Sequence, residues 1–280
     1  MEILKKDLAY MAGFFDGEGC VSYGSKTPAV SLSQTVEAPL LMFVKYFGGK
    51  IHVGSRITTG GLTMFVYRRG SREDRLALLS ALYPYCSSKR EKMKKALELL
   101  GGDATQEIQI SVEERIPYIA GFFDAEGSIT VRHMDGNKLC VNARIGQNVI
   151  HPLELIKEIF GGKLKAVHTP KGTPSWHMFF NTTQSNELLH KILPFLIVKK
   201  KQAELALKIR SIHLSNWGED PRAEEKWLLA KELISLNSKK GNHETCRVLN
   251  FKGGAVNRGK RFIGCKKELP PELQVAWGCL

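Results

Sequence analysis

Glu18 and Glu126 each stand one place before a glycine at the end of a repeated segment. The two copies are MAGFFDGEG, from Met11 to Gly19, and IAGFFDAEG, from Ile119 to Gly127, and seven of the nine positions are identical. A lone glutamate at a helix end is ordinarily a solvated side chain; the duplication is what argues for chemistry. Within each copy, small residues recur at helical spacing: Ala12, Gly13 and Gly17, then Ala120, Gly121 and Ala125. Glycine weakens a helix interior by about 1 kcal/mol, so a face of such residues implies two helices built to bring their backbones close. If the two copies pack side by side in the same direction, Glu18 and Glu126 meet at the negative ends of both helix dipoles, among uncapped carbonyls. Such an oxygen-rich pocket repels itself unless a cation occupies it, and it suits a hard divalent ion such as Mg²⁺. Asp16 and Asp124, two positions earlier, fall on another face and are expected to be structural. Gly19 and Gly127 are expected to be left-handed caps that stop the helices.

The elements around these segments also repeat. Each copy is followed by two strand-like runs, CVSYGSKTPAVSLSQTV and SITVRHMDGNKLCVNARIGQNV, the second turning at DGN. Helical runs follow, PLLMFVKYFGG and PLELIKEIFGG, each stopped by a glycine pair. Basic strands come next, KIHVGSRITTGGLTMFVYRR and KLKAVHTPKGTPSWHMFF, with Gly and Pro turns in their middles. A last helix is opened in the first half by the serine cap of SRED, and the halves continue as LYPYCSSKREKMKKALEL and LPFLIVKKKQAELALKI. The expected fold class is therefore α+β: two pseudo-symmetric αββαββα halves, each a twisted antiparallel sheet, joined by the repeated helices into a saddle. Residues 1–102 form the first half, 103–111 a linker and 112–240 the second half, which an extra helix at RAEEKWLLAKELISLN closes. The basic stretch 241–280 reads as a loosely structured tail.

Composition narrows the function classes. A net charge of +13 and a pI near 9.5 point either to a polyanionic partner or to a merely soluble basic protein. The six cysteines form no C-x-x-C pair, which argues against a zinc site or a disulfide framework and for a reducing compartment. No apolar run is long enough for a membrane span, and none is expected. The N-terminus enters the repeat at once, so no targeting segment is expected. No nucleotide-binding glycine loop is present.

Both segments resemble the LAGLIDADG motif of homing endonucleases, with glutamate where the name has its second aspartate, a substitution the family tolerates. The resemblance covers about residues 8 to 240, and two motifs in one chain imply the single-chain form, expected to act as a monomer. It implies that Glu18 and Glu126 bind the catalytic metal beside the carbonyls of Gly17 and Ala125. It also implies an active-site lysine at the start of the last helix of each half. The matched strings PYCSSKREK and PFLIVKKKQ place these at Lys89 and Lys199, with Lys200 and Lys201 as adjacent alternatives. Gln34 and Gln147 are the nearest candidates for a polar residue that such sites carry near the end of the second strand. The implied cofactor is Mg²⁺, with Mn²⁺ substituting and Ca²⁺ supporting binding only. The implied reaction is hydrolysis of both strands of a long double-stranded DNA site across a minor groove, leaving short 3′ overhangs. Two alternatives share the fold: a maturase that binds group I intron RNA, and a regulator that binds DNA without cutting it. The paired acids and lysines favour the nuclease. The implied location is intracellular, in a chloroplast, a mitochondrion, or a bacterial or archaeal cytoplasm.

The strand faces supply candidates for DNA contact. In the second half, apolar residues alternate with Thr130, Arg132, Lys138, Asn142 and Arg144, and the following basic strand adds Lys163 and Lys165. The first half offers Ser31, Ser33, Lys50, His52, Arg56, Tyr67, Arg68 and Arg69. Arginine can read guanine and asparagine can read adenine, so each residue is either a base contact or part of a solvated strand face. Lys239 and Lys240 are expected to touch phosphate.

Overall fold

The computed structural model describes residues 3–23, 27–57, 62–68, 70–134, 138–168, 174–214, 220 and 222–237. The first half runs α1 (Lys5–Glu18), β1 (Gly19–Tyr23), β2 (Pro28–Gln34), α2 (Ala38–Phe47), β3 (Lys50–Ile57), β4 (Thr63–Arg68), α3 (Arg72–Leu82) and α4 (Arg90–Leu99). The second half repeats the order: α5 (Val112–Glu126), β5 (Gly127–Met134), β6 (Lys138–Gln147), α6 (His151–Phe160), β7 (Lys163–His168), β8 (Pro174–Phe179), α7 (Thr182–Ile192) and α8 (Lys200–Ser211). The expected extra helix is α9 (Arg222–Asn237), which packs on α8 and β5 and donates from Asn237 Nδ2 to the Ile129 carbonyl at 2.6 Å.

Each sheet is antiparallel, in the orders β1-β2-β4-β3 and β5-β6-β8-β7. The α+β reading holds, but each half ends in two helices where the sequence analysis expects one, making αββαββαα. Tyr83–Lys89 and Leu193–Lys199 separate the two helices, the second starting with a 3₁₀ turn over Leu193–Phe195, and Pro84 and Pro194 each remove one backbone donor there. The glycine pairs after α2 and α6 do stop those helices: Gly48 and Gly161 have φ of 66° and 68°, which only glycine adopts without strain.

Alternation along the strands sends one face of each sheet against the helices. In the first half Leu32, Leu40, Phe43 and Tyr67 pack with Phe14 of α1; in the second, Ile145, Leu153 and Met178 pack with Phe122 of α5. Tyr67, a candidate for DNA contact in the sequence analysis, is thus a core residue. It is fully buried with its ring 5.6 Å from Phe43, and it pairs with Leu32 and Ile51 rather than with the polar row. Strand geometry is the reason: Tyr67 and Arg68 are adjacent, so they cannot share a face.

The linker runs back along the first half. Tyr83 donates to the Ala104 carbonyl at 3.1 Å, and the Gln109 amide donates to the Pro84 carbonyl at 2.7 Å. It ends at Ser111, which caps α5 in a reciprocal box with Glu114. Tyr85 of the first half also bonds Glu114 at 2.9 Å. Among the described residues no helix is long and apolar enough to cross a membrane, and Cys20, Cys86 and Cys140 carry free thiols.

Candidate functional site

The repeated helices α1 and α5 pack in parallel at backbone contact. A Cβ added to Gly13 would lie 1.9 Å from the Tyr118 carbonyl oxygen, and one added to Gly121 would lie 2.0 Å from that of Tyr10. Further along both helices, a Cβ on Gly17 would lie 2.3 Å from that of Ala125. Contacts that advance together along both chains place the C-terminal ends side by side. Gly19 and Gly127 do not form the expected left-handed caps. Their φ values are −65° and −75°, and they open β1 and β5 in extended conformation. Glycine is needed there for space, because a Cβ would fall 2.4 or 2.5 Å from the carbonyl oxygen of Phe15 or Phe123 and against the same residue's ring.

At this junction Glu18 and Glu126 face one another electrostatically. Burial, and then the charge of Glu126, pushes the Glu18 carboxyl up to about 7. Burial also raises Glu126, and Lys89 and Lys199 pull both glutamates back toward the charged form. Gln34 Nε2 donates to Glu18 Oε1 at 3.2 Å, and Gln147 Nε2 donates to Glu126 Oε1 at 3.2 Å. The other end of each glutamine amide is occupied by the next residue. Gln34 Oε1 accepts from the Thr35 amide at 2.7 Å, and Gln147 Oε1 accepts from the Asn148 amide at 2.6 Å. These bonds leave each glutamine only its NH₂ to turn toward the glutamate.

Asp16 and Asp124 explain how the lysines are placed. Lys89 and Lys199 are the N-cap residues of α4 and α8, and neither side chain caps its helix. An aspartate from the motif helix holds the turn that leads into each helix. Asp16 accepts from the amides of Ser87 at 2.7 Å and Lys89 at 3.1 Å. Asp124 accepts from those of Ile197 at 2.7 Å, Val198 at 3.0 Å and Lys199 at 2.8 Å. The structural role expected for the two aspartates is therefore to anchor the turns that carry the lysines. The lysines differ in their surroundings: Lys199 Nζ donates to the Asp124 carbonyl, and burial holds this amine below its ordinary range. A groove of about 860 Å³ beside Lys89 is lined by Ser87, Arg90, Arg115, Gln147 and His151.

The donor set fits a hard divalent cation. Its members are oxygens, burial raises the proton affinity of both carboxylates and the charge of Glu126 raises that of Glu18 further, and no cluster of three or more His, Cys, Asp or Glu competes among the described residues. Two carboxylates leave room for the water and phosphate oxygens that Mg²⁺ prefers to keep.

The strand candidates form rows by register. In the first sheet Ser31, Arg68 and Lys50 lie across from one another, as do Ser33, Val66 and His52; Lys50, His52 and Arg68 are exposed. In the second sheet Ser128, Arg144, Phe179 and Lys163 make one row, and Gly146, His177 and Lys165 another. Thr130 pairs with Asn142 and donates to its carbonyl at 3.3 Å, and Arg132 is exposed at the next outward position. The sequence analysis missed Ser128 and His177 on this face, although alternation with Phe179 was the available signal for His177. Arg56 and Lys138 lie in β3 and β6, but their side chains fall outside the described residues, as do Arg69, Lys239, Lys240 and the tail 241–280.

Comparison with known proteins gives this arrangement its class. The family described as LAGLIDADG-like domain matches residues 5–82, and that described as LAGLIDADG endonuclease matches residues 119–209. The chain belongs to the LAGLIDADG homing endonuclease family, in the form that carries two motifs in a single chain. Among characterised relatives, the intron-encoded RNA maturase bI4 of Saccharomyces cerevisiae is 25% identical over 194 residues, which is 65% of this chain and 28% of that protein. The chain thus spans little more than a quarter of that relative's length. Among solved structures, meganuclease I-SmaMI bound to uncleaveable DNA is 16% identical with a TM-score of 0.59, the match covering 82% of this chain and 99% of that one. I-GzeII in complex with its DNA target is 14% identical with a TM-score of 0.51, covering 84% and 97%. At these identities the likeness establishes the fold.

Proposed function

We propose that this protein is a site-specific endonuclease that hydrolyses both strands of a long double-stranded DNA target in the presence of Mg²⁺ and leaves short 3′ overhangs. The observation that carries the reading is the convergence of two like-charged, half-buried glutamates with a lysine from each half at the joint between the two sheets. A protein that only binds phosphate gains nothing from paired carboxylates, which repel it. That structures sharing this fold, I-SmaMI and I-GzeII, were solved on DNA supports the same reading.

In this proposal the halves are residues 1–102 and 112–240, with 103–111 between them and the basic tail beyond. One chain holds both half-sites and acts as a monomer. Glu18 and Glu126, with the carbonyls of Gly17 and Ala125, hold a divalent cation, whose chemistry when bound is to activate a water and to stabilise the departing 3′ oxygen. Gln34 and Gln147 hold one oxygen of each carboxylate and so fix its rotation. Lys89 and Lys199 place positive charge where the phosphoryl group gains negative charge. The rows through Ser31, Arg68 and Lys50 and through Ser128, Arg144 and Lys163 lie against the DNA, with the arginines able to read guanine.

The test is a supercoiled plasmid carrying the uninterrupted junction of the host gene. With Mg²⁺ the wild-type chain is expected to give linear product, and Glu18→Gln and Glu126→Gln are expected to bind it without doing so. Linear product from either variant at near wild-type rate would overturn the reading. The likeness to the yeast maturase favours a second reading, assistance of group I intron splicing. In that case the chain accelerates splicing of its intron transcript and leaves the plasmid intact.

A further inference from the structure

Each aspartate that anchors a lysine turn has one more partner, and that partner comes from the opposite half. Tyr118 of α5 donates its hydroxyl to Asp16 Oδ2 at 2.6 Å, and Tyr10 of α1 donates to Asp124 Oδ2 at 2.8 Å. All four side chains are buried, at 3% exposure or less. Asp16 in turn accepts from the Ser87 and Lys89 amides of the first half, and Asp124 from the Ile197, Val198 and Lys199 amides of the second. The chain of bonds therefore crosses the joint twice: Tyr118 to Asp16 to Lys89, and Tyr10 to Asp124 to Lys199.

Nothing in packing alone requires the hydroxyls. Tyr10 stacks on Phe14, and Tyr118 stacks on Phe122 with rings 6.3 Å apart, contacts that phenylalanine would make as well. Burial beside the aspartates raises both phenols well above their ordinary range, which keeps them as donors. In each aspartate Oδ2 accepts the hydroxyl together with an amide of the turn, while Oδ1 accepts the amide of the lysine itself, so the hydroxyl ties the turn that carries the lysine to the opposite half.

We infer that Tyr10 and Tyr118 are reciprocal positioning residues, each fixing, through an aspartate, the lysine of the half to which it does not belong. Neither lysine is set until both halves are joined. The inference rests on the proposed nuclease reading only for the role of the lysines; the crossed positioning is measured without it.

Tyr118→Phe and Tyr10→Phe in the full chain are the test. By amide hydrogen exchange, Tyr118→Phe is expected to speed exchange at Ser87 and Lys89 about tenfold, the loss of one bond to a charged group, and to leave Ile197 to Lys199 unchanged. Tyr10→Phe is expected to do the reverse. Acceleration in the tyrosine's own half, or equally at both turns, would overturn the crossing. On end-labelled target DNA, Tyr118→Phe is expected to slow the same strand as Lys89→Met, and Tyr10→Phe the same strand as Lys199→Met. Equal slowing of both strands would reduce the tyrosines to structural residues. If the wild-type chain cuts no DNA, the nuclease reading falls and the exchange measurement still decides the positioning.

Discussion

Replacing Glu18 with glutamine is expected to stabilise the metal-free protein at about pH 8. The folded chain holds the Glu18 carboxyl up to about 7, against 4.5 for the free group, because burial withdraws it in part from water and Glu126 is near. The fold therefore binds that proton more tightly than the unfolded chain does. As pH rises through the interval between those two values, the unfolded chain sheds the proton first and the fold loses stability; the loss is complete above the upper value. At about 1.36 kcal/mol per unit, the displacement corresponds to roughly 3 kcal/mol, and contact with water at the mouth of the site reduces it to about 2 kcal/mol. For a chain of this size that is a melting shift of about 4 to 8 °C. The assay is thermal unfolding in a chelator at about pH 5 and about pH 8. Glu18→Gln is expected to melt above wild type at the higher pH and close to it at the lower. Millimolar Mg²⁺ or Ca²⁺ is expected to raise the wild type toward the variant, by mass action on the folded state, and to leave the variant nearly unmoved. A variant no more stable than wild type at pH 8 would refute the reasoning, because the glutamate would then be an ordinary solvated side chain with no need of a cation.

Three further outcomes are expected. Gly13→Ala drives a methyl group into the Tyr118 backbone carbonyl, which no side-chain rotation relieves, so denaturant unfolding should show a loss of about 3 kcal/mol or more. Lys199→Met should slow cleavage by about 10² to 10³-fold while target affinity changes little; equal losses would make the lysine a phosphate anchor. Target binding should weaken about 10³ to 10⁵-fold between about 50 and 200 mM salt if six to ten phosphates are contacted, and a flat salt dependence would sink DNA contact along the strand rows.

The repeat made the order of elements legible, because each half independently shows the same alternation of period-two and helical stretches. Small residues at helical spacing likewise foretold the contact of α1 with α5. Three features were not legible, each for a physical reason. The break between α3 and α4 is held by Asp16, far away in sequence, so the local pattern ran on as one helix despite Pro84. Tyr67 resembles Arg68 in being large and partly polar, while strand geometry gives neighbours opposite faces. The bonds of Tyr10 and Tyr118 span 114 and 102 residues and leave no trace in local composition. Gly19 and Gly127 show a subtler limit: glycine was demanded there, but by the crowding of Phe15 and Phe123 rather than by handedness.

The meeting of α1 and α5 involves main chain against main chain at Gly13 and Gly121, and this sets what can vary by descent. Side chains drift readily between lineages, whereas the thickness of a polypeptide backbone is invariant. The gap between the two carboxylates is therefore gauged by a quantity that mutation elsewhere cannot adjust. Arg68 and Arg144, by contrast, are exposed on the sheets, in rows with Ser31 and Lys50 and with Ser128 and Lys163. Under the proposed activity, new target sequences can be acquired by changing Arg68, Arg144 and their neighbours while the stagger between the two cuts stays constant.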